Sequence, residues 1–556
     1  MVGVAAAGLY SSAMPGVNFA EAAWLWAIPF ALWSTTRPAW KTWLLVAGVT
    51  FWLAKIGTLV WLRHVSPPLG WLGLVLLTAL LALFPVAWLA LLRWLFPKTV
   101  GAPPVFRIII QLGLAGAWVT LEWVQGWLLT GFPWALLAET QWQRPVALAL
   151  CAYGGPWALG FAIILFNIGL ARHIHNLAWA RQNAPVEAAP SPFAILRNVS
   201  PEFYIGILPV FFAIFVFWNS LNKMHDHAEK LFTAGFVQTD FDPNAKWDAA
   251  RVQENIAVVR TLTRDVARLP APPAVVGGAP GNKFVSDDAN GRHSFALHSA
   301  SMPQLIFWPE AALPLSAGSE SFDGFVTGLA RETGATLVYG AIRSEEKGYY
   351  NGIFTATSAG VSKAFYAKRH LVPFGEYVPL ADILPLRRVV PIPQDSLVGA
   401  RVEPLPVPVD GRVLRAGTLV CYEDVFPDLS RDMARRGADF IVVVTNDAWY
   451  GREAGAYQHA AHSAVMAASL RLPVVRCGNN GWSGVFTPLG QQLPITDASG
   501  SIYFRGAGRL DVMGIPEEVR EPTFYMVNGN WVVTMSILLT LWVCVRNRLR
   551  FRKAEE

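Results

Sequence analysis

Three reactive side chains are marked out by the residues around them. Cys421 closes the run Thr418-Leu419-Val420, whose β-branched and apolar residues predict the end of a buried strand. Glu423 and Asp424 follow, Pro427 breaks the run, and Asp428-Leu429-Ser430 opens an Arg-rich helical stretch. A thiol at a strand end, just before a helix N-terminus, is placed for nucleophilic work because backbone N–H groups gather there. The plain alternative is a core cysteine, since free cysteine is among the most buried residue types. Glu310 follows Trp308-Pro309 at the end of a second predicted strand, and Lys368 stands in Tyr366-Ala367-Lys368-Arg369-His370-Leu371-Val372-Pro373-Phe374-Gly375-Glu376. A thiol needs a base to become a thiolate, and a carboxylate such as Glu310 can serve. Attack on an ester or amide creates an oxyanion, which a Lys ammonium and the N–H following the nucleophile stabilise. Taken singly, a Glu or a Lys is most often a solvated surface residue.

These groups must be held by an alternation of strands and helices. Strand patterns cover 231–238, 304–308, 335–342, 439–445 and 473–476, and helical periods cover 247–267, 322–333 and 456–470. That alternation predicts an α/β domain of packed sheets. Residues 268–302, with Pro270 to Pro273, Gly277, Gly278, Pro280 and Gly281, read as an inserted loop. Cys477 is expected just beyond a strand with no acid or base motif around it, so its loss is expected to be silent. His459 and His462 share a predicted helix, but their spacing is not the i, i+4 of a zinc helix, and packing or surface positions are expected for both. No metal and no cofactor is expected.

The rest of the chain belongs to a membrane. Of 556 residues 53% are hydrophobic and only 15% charged, well below the ~25% charged of soluble domains. The apolar residues concentrate before about 220 and after about 526, and many of the 24 Trp stand near the ends of apolar runs, as interfacial belts require. Residues 19–36, 41–62, 69–95, 106–128, 145–171, 203–220 and 527–545 are long enough, or nearly so, to span a bilayer, with 2–15 a weaker candidate, giving seven or eight spans. The expected organisation is 1–221 transmembrane, 222–526 soluble and 527–556 a last span with a basic tail. The net charge of +6 is no sign of nucleic acid, because much of it flanks apolar segments. Arg37 and Lys41; Arg93, Lys98 and Arg107; Arg172, Arg181 and Arg197; and Arg546, Arg548, Arg550, Arg552 and Lys553 all fall on one side, expected to be the cytoplasm. The soluble block then faces outward. The N-terminus lacks a basic n-region, so no removed signal peptide is expected. Lys55 inside an apolar run is costly and so a functional candidate, the plainer alternative being that it snorkels or pairs with a carboxylate such as Glu122. The loop Thr130-Gly131-Phe132-Pro133-Trp134, with Glu139 beyond it, is expected at the interface, anchored by its Trp.

Glu310 in Trp-Pro-Glu, Lys368 in Lys-Arg-His-Leu-Val-Pro-Phe-Gly-Glu and Cys421 in Cys-Tyr-Glu resemble the Glu-Lys-Cys triad of the nitrilase superfamily. With the flanking spans, Leu371 to Pro379, Asn446-Asp447-Ala448-Trp449-Tyr450-Gly451 and Gly131-Phe132-Pro133-Trp134, the chain resembles the membrane-embedded apolipoprotein N-acyltransferases. The resemblance implies an αββα sandwich for the soluble block, Glu310 as general base, Lys368 as oxyanion stabiliser and Cys421 as acyl-carrying nucleophile. It implies Glu376, Glu423, Tyr422, Asn446 and Trp449 as supporting residues, and it matches Gln238 to the family's first strand. It further implies a phospholipid acyl donor, a diacylglyceryl-cysteine lipoprotein acceptor and a bacterial inner-membrane enzyme with its catalytic domain in the periplasm. An apolar lid from 374–395 and 130–142 would keep water from the thioester, with Phe132 and Trp134 lining the route by which lipid reaches Cys421. The chain departs from the family at Met466 and Ser469, where an Arg and a Glu are usual, at Gln125 in place of an Arg, and in the 268–302 insertion. A nitrilase-like amidase or acyltransferase with another acceptor, and a catalytically silent membrane scaffold, stay open as alternatives.

Overall fold

A computed structural model describes residues 1–65, 69–182, 199–268, 286–287, 293–294, 301–381, 383, 385–388, 392 and 394–555. Arg197 and most of the 268–302 insertion lie outside the described residues. The chain divides into a helical unit, Met1–Asn219 with Asn528–Glu556, and an α/β unit, Ser220–Val527.

In the helical unit, four helices among the described residues are long and apolar enough to cross a membrane: Leu69–Thr99, Pro104–Gln125, Cys151–Gln182 and Pro201–His227. The expected span over 19–36 is not one helix. A 3-10 turn, Ala20–Trp24, is followed by a break and by the short helix Ile28–Ser34, which Pro29 opens. The break survives because the Asn167 side chain meets its backbone: the Ala27 N–H donates to Oδ1 at 3.0 Å and Nδ2 donates to the Ala23 carbonyl at 3.0 Å. Irregular backbone at membrane depth needs such partners. The expected span 41–62 becomes the helix Trp40–Thr58 and then a 3-10 turn, Val60–His64. The segment 2–15 forms the 12-residue helix Val2–Ala13. The C-terminal apolar stretch lies in the helix Trp531–Glu555. Pro104–Gln125 approaches that helix closely at Gly116, where a Cβ would sit 2.9 Å from the Ser536 carbonyl oxygen. Small residues at such crossings let two backbones meet.

Lys55 is buried rather than snorkelling, and its Nζ donates to the Tyr10 hydroxyl at 2.9 Å, with Glu122 near enough to act on it by charge. The Tyr10 hydroxyl in turn donates to the Ala135 carbonyl at 3.2 Å. The loop after Pro104–Gln125 is likewise held by side chains. Gln125 Nε2 donates to the carbonyls of Phe132 and Trp134 at 2.9 and 3.1 Å, Glu122 accepts from the Leu137 N–H at 2.8 Å, and Glu139 accepts from the Ala135 N–H at 3.0 Å. Gln125, a departure from the family pattern, thus serves the loop backbone. Trp134 is not an exposed interfacial anchor: it is 1% exposed and packs on Phe132 and Trp61.

The α/β unit carries strands β1 (Glu229–Gln238), β2 (Ser286–Asp287), β3 (His293–Ser294), β4 (Leu305–Trp308), β5 (Thr336–Glu345), β6 (Gly348–Thr357), β7 (Gly360–Val361), β8 (Tyr366–Ala367), β9 (Leu405–Val409), β10 (Arg412–Val420), β11 (Phe440–Thr445), β12 (Val474–Gly478), β13 (Gly484–Phe486), β14 (Gln492–Pro494) and β15 (Gly506–Gly514). One sheet runs β15-β1-β4-β5-β6-β7, with β8 beside β6, and the other runs β14-β13-β12-β11-β10-β9; β2 and β3 pair separately. The centre of each is parallel, β1/β4/β5 and β10/β11/β12, and both faces of those strands are apolar as parallel sheets require. Helices Val252–Arg268 and Glu320–Thr333 cover the first sheet, with Val259, Val266, Phe322 and Val326 packed on Val237, Ile306, Trp308 and Tyr339. Helices Pro427–Arg435 and Ala454–Leu470 pack on the second. Between the sheets, Phe232 meets Phe440 at 4.8 Å, each such ring contributing roughly 1.5–3 kcal/mol by burial. The layers are therefore helix, sheet, sheet, helix.

Cys477 differs from its expectation. It lies within β12, is fully buried, and its thiol donates to the Phe307 carbonyl at 3.3 Å across the two sheets. The sequence pattern ends the strand at Arg476, whereas the ladder with β11 continues to Gly478.

Candidate active site

Glu310, Lys368 and Cys421 each stand one or two residues past a strand: β4, β8 and β10. All three are buried, at 9%, 1% and 7% exposure. β4 stops at Pro309, and the chain turns through Ala311 at φ 43°. Cys421 itself has φ 51°, a left-handed conformation that a side-chain-bearing residue adopts only under constraint. The constraint is visible. The Glu423 carboxylate accepts from the Val420 N–H at 2.8 Å, the Arg369 N–H at 2.7 Å, the His370 N–H at 3.1 Å and the Tyr366 hydroxyl at 2.8 Å. One buried carboxylate therefore ties the turn bearing Cys421 to the segment bearing Lys368.

Lys368 pairs with both oxygens of Glu376, at 2.9 and 2.8 Å, and Glu376 also accepts from the Val372 N–H at 2.8 Å. Asn351 of β6 donates to Glu310 Oε1 at 2.7 Å and to Glu376 Oε1 at 3.3 Å, and its carbonyl accepts from the Lys368 N–H at 2.8 Å. Burial works against the Lys368 ammonium, but Glu376, then Glu310 and Cys421, hold its pKa above the ordinary lysine value. Burial, and next the Glu310 charge, push the Cys421 thiol up, while Lys368 pulls it down. Cys421 thus rests as a thiol, and its use as a nucleophile requires a base beside it.

The remaining expected residues are placed as follows. Tyr422 is buried, its ring 5.2 Å from Phe426 in edge contact. Asn446 follows β11 directly and accepts from Asn479 Nδ2 at 2.8 Å. Trp449 is half-buried in the 3-10 turn Asp447–Tyr450. Gln238 closes β1 and donates to the carbonyls of Ile502 and Phe504 at 2.8 and 2.9 Å. Phe132 and Trp134 belong to the helical unit.

Two features of the unit carry no signal in the sequence pattern. Asn351 sits on a strand whose aromatic, polar mixture gave no clear period. A buried ionic network lies in the same unit: His459 Nδ1 and Nε2 stand 2.7 Å from Asp447 and 2.7 Å from Asp424, and Arg476 bonds both carboxylates, 3.2 Å from Asp447. Ser463 adds a hydrogen bond to Asp424 at 3.1 Å. Burial opposes ionisation of Asp424, yet His459 and Arg476 overcome it and hold its pKa at about 2. Burial and Arg476 also oppose the His459 imidazolium, and Asp424 and Asp447 raise it above the ordinary histidine value. His462 is pushed down to about 3, chiefly by burial. Both histidines are buried, so the surface alternative does not hold for either. Met466 and Ser469 are buried on the same helix, and Ser469 bonds its own helix at Val465 and accepts from Thr523. Among the described residues no cluster of three His, Cys, Asp or Glu is placed to hold a metal ion.

Two family models match the chain. One, described as carbon-nitrogen hydrolase, matches residues 274–504; the other, described as the apolipoprotein N-acyltransferase N-terminal domain, matches residues 6–169. The chain is 29% identical to the apolipoprotein N-acyltransferase of Geobacter metallireducens over 84% of its own length and 79% of that protein. It is 30% identical to the one of Brucella suis, over 85% and 77%. A solved CN-hydrolase superfamily protein from Xanthomonas campestris aligns at 17% identity and a TM-score of 0.34, covering 54% of this chain and 97% of that one.

Proposed function

The chain belongs to the apolipoprotein N-acyltransferase family, and we propose that Cys421 carries a fatty acyl group from a membrane phospholipid to the N-terminal amine of a diacylglyceryl-cysteine lipoprotein. As a member the chain is an N-acyltransferase with a carbon-nitrogen hydrolase domain. In the first half-reaction Glu310 takes the Cys421 proton and the thiolate attacks the ester carbonyl. The Lys368 ammonium faces the oxyanion, and the lysophospholipid oxygen leaves with the proton that Glu310 returns. In the second, Glu310 takes a proton from the acceptor amine as its nitrogen attacks the thioester. The C–S bond breaks, an amide remains, and the thiol is restored. No step calls for a metal or a cofactor.

The observation that carries this reading is the meeting of three strand-end groups, a buried thiol, a carboxylate and an ammonium, with their charges coupled. Both substrates are lipid-anchored, which gives a physical reason for a hydrolase-like domain joined to apolar helices. The four long helices, with Trp40–Thr58 and Trp531–Glu555, cross the inner membrane. The basic clusters from Arg37 to Lys553 stay in the cytoplasm, and the α/β unit lies in the periplasm. The test is N-acylation of a diacylglyceryl peptide by full-length protein given phospholipid. Glu310→Gln, Lys368→Ala and Cys421→Ser are each expected to lose a factor on the order of 10²–10³ or more. Normal transfer by Cys421→Ala overturns the assignment.

A further inference from the structure

Lys246 is a second buried ammonium at this site, and nothing so far uses it. It lies in the loop after β1 and is 3% exposed. Its Nζ donates to the main-chain carbonyl of Glu310 at 3.4 Å and stands 5.5 Å from the Trp247 ring centroid. Its own carbonyl is held by Asn255 Nδ2 at 3.2 Å, so the loop is anchored to the helix Val252–Arg268. Among the described residues it has no carboxylate within ion-pair distance.

Two needs of Glu310 meet at this position. The first is mechanical. The turn that aims the carboxylate runs through the left-handed Ala311 and lies so close to β5 that a Cβ on Gly340 would sit 2.4 Å from the Pro309 carbonyl oxygen. Such a turn persists only when its surroundings fix it, and the Lys246 hydrogen bond is one of the pins. The second is electrostatic. The groups facing Glu310 are Asn351 from β6, Lys368 and Glu376 from the segment after β8, Cys421 from the end of β10, and Lys246. Glu376 already engages Lys368 with both oxygens, and Asn351 is neutral. Two carboxylates in a buried site with one shared cation leave a charge uncompensated, which is costly.

We infer that Lys246 is a positioning residue of the acylation step: it holds the turn that aims Glu310 and supplies the second buried positive charge against which Glu310 works as base. This rests on the reading of Glu310 as the base. Burial pulls Lys246 down to about 8 while the Glu310 charge supports it, so Lys246 is charged at neutral pH and loses its proton above about 8.

The test is the single-turnover rate of Cys421 acylation from phospholipid, measured from about pH 5.5 to 9 on full-length protein in lipid nanodiscs. Removing a cation makes a neighbouring carboxylate easier to protonate. Lys246→Met is therefore expected to lose on the order of 10²-fold at neutral pH, to move the acid limb of the profile upward, and to show a smaller loss above about pH 8, where wild-type Lys246 has given up its charge but keeps the hydrogen bond that Met cannot make. Lys246→Arg is expected to stay within about tenfold of wild type, because it keeps the charge. A wild-type rate for Lys246→Met overturns the inference. So does a loss by the same factor at every pH with Arg no better than Met, the mark of a scaffold role alone. Glu310→Gln measured beside them separates the failures: wild-type acylation by that variant sinks the base assignment itself.

Discussion

At the scale of single residues, the chain separates its two soluble-unit thiols by what surrounds them. Cys421 stands past a strand end in a left-handed turn, with a carboxylate and an ammonium coupled to it. Cys477 stands inside β12, and burial pushes its thiol up to about 12 with no cation to lower it. Cys477 is therefore a core residue that bridges the sheets. Cys477→Ala is expected to cost on the order of 1–2 kcal/mol, through the lost volume and the Phe307 carbonyl left without its thiol. Thermal unfolding in detergent should fall by a few degrees, while N-acylation per folded molecule stays unchanged. An unchanged melting temperature would contradict that placement. The strand-end placement of Glu310 and Cys421 was legible in the sequence because the apolar runs before them are local. Asn351 and Lys246 were not: their roles come from partners far along the chain, Glu376 and Glu310.

At the scale of elements, the network of Asp424, Asp447, His459 and Arg476 joins the turn after β10, the turn after β11, the helix Ala454–Leu470 and β12. Its charges balance as two carboxylates against an imidazolium and a guanidinium, and it titrates as a stability element. The Asp424 carboxyl is held at about 2, below its unfolded value of ~3.9, so its contribution is present above pH ~4 and is lost as pH falls toward 2. Denaturant unfolding of the full chain followed from pH 5 to 2.5 should show that loss, and Asp424→Asn should flatten the slope. A slope equal in the two proteins removes the network from the account. The elements themselves were largely readable: β1, β4, β5, β11 and three of the helices fall where the hydrophobic period places them. The short strands β7, β8, β13 and β14 are too brief to carry a period, and β9 carries Pro406 and Pro408, which argue against a strand except at a sheet edge, where β9 lies. The segment 19–36 read as a span because composition alone cannot reveal that Asn167, more than a hundred residues away, satisfies a broken backbone.

At the scale of the whole molecule, a helical unit with four helices long and apolar enough to cross a membrane, among the described residues, is joined to a carbon-nitrogen hydrolase domain. A reporter fused after Arg552 should behave as cytoplasmic, and one inserted within 268–302 as external; the reverse pattern would deny the α/β unit access to mature lipoproteins. Under the proposed function, Cys421 bears the acyl group between the two substrates. The most direct measurement is mass spectrometry of the full-length protein incubated with a defined phospholipid and no acceptor. One added acyl mass is expected on the peptide that contains Cys421, labile to hydroxylamine and discharged by a diacylglyceryl peptide amine. An unmodified Cys421 in protein that still transfers acyl chains, or an adduct on another residue that discharges to the acceptor, would contradict it.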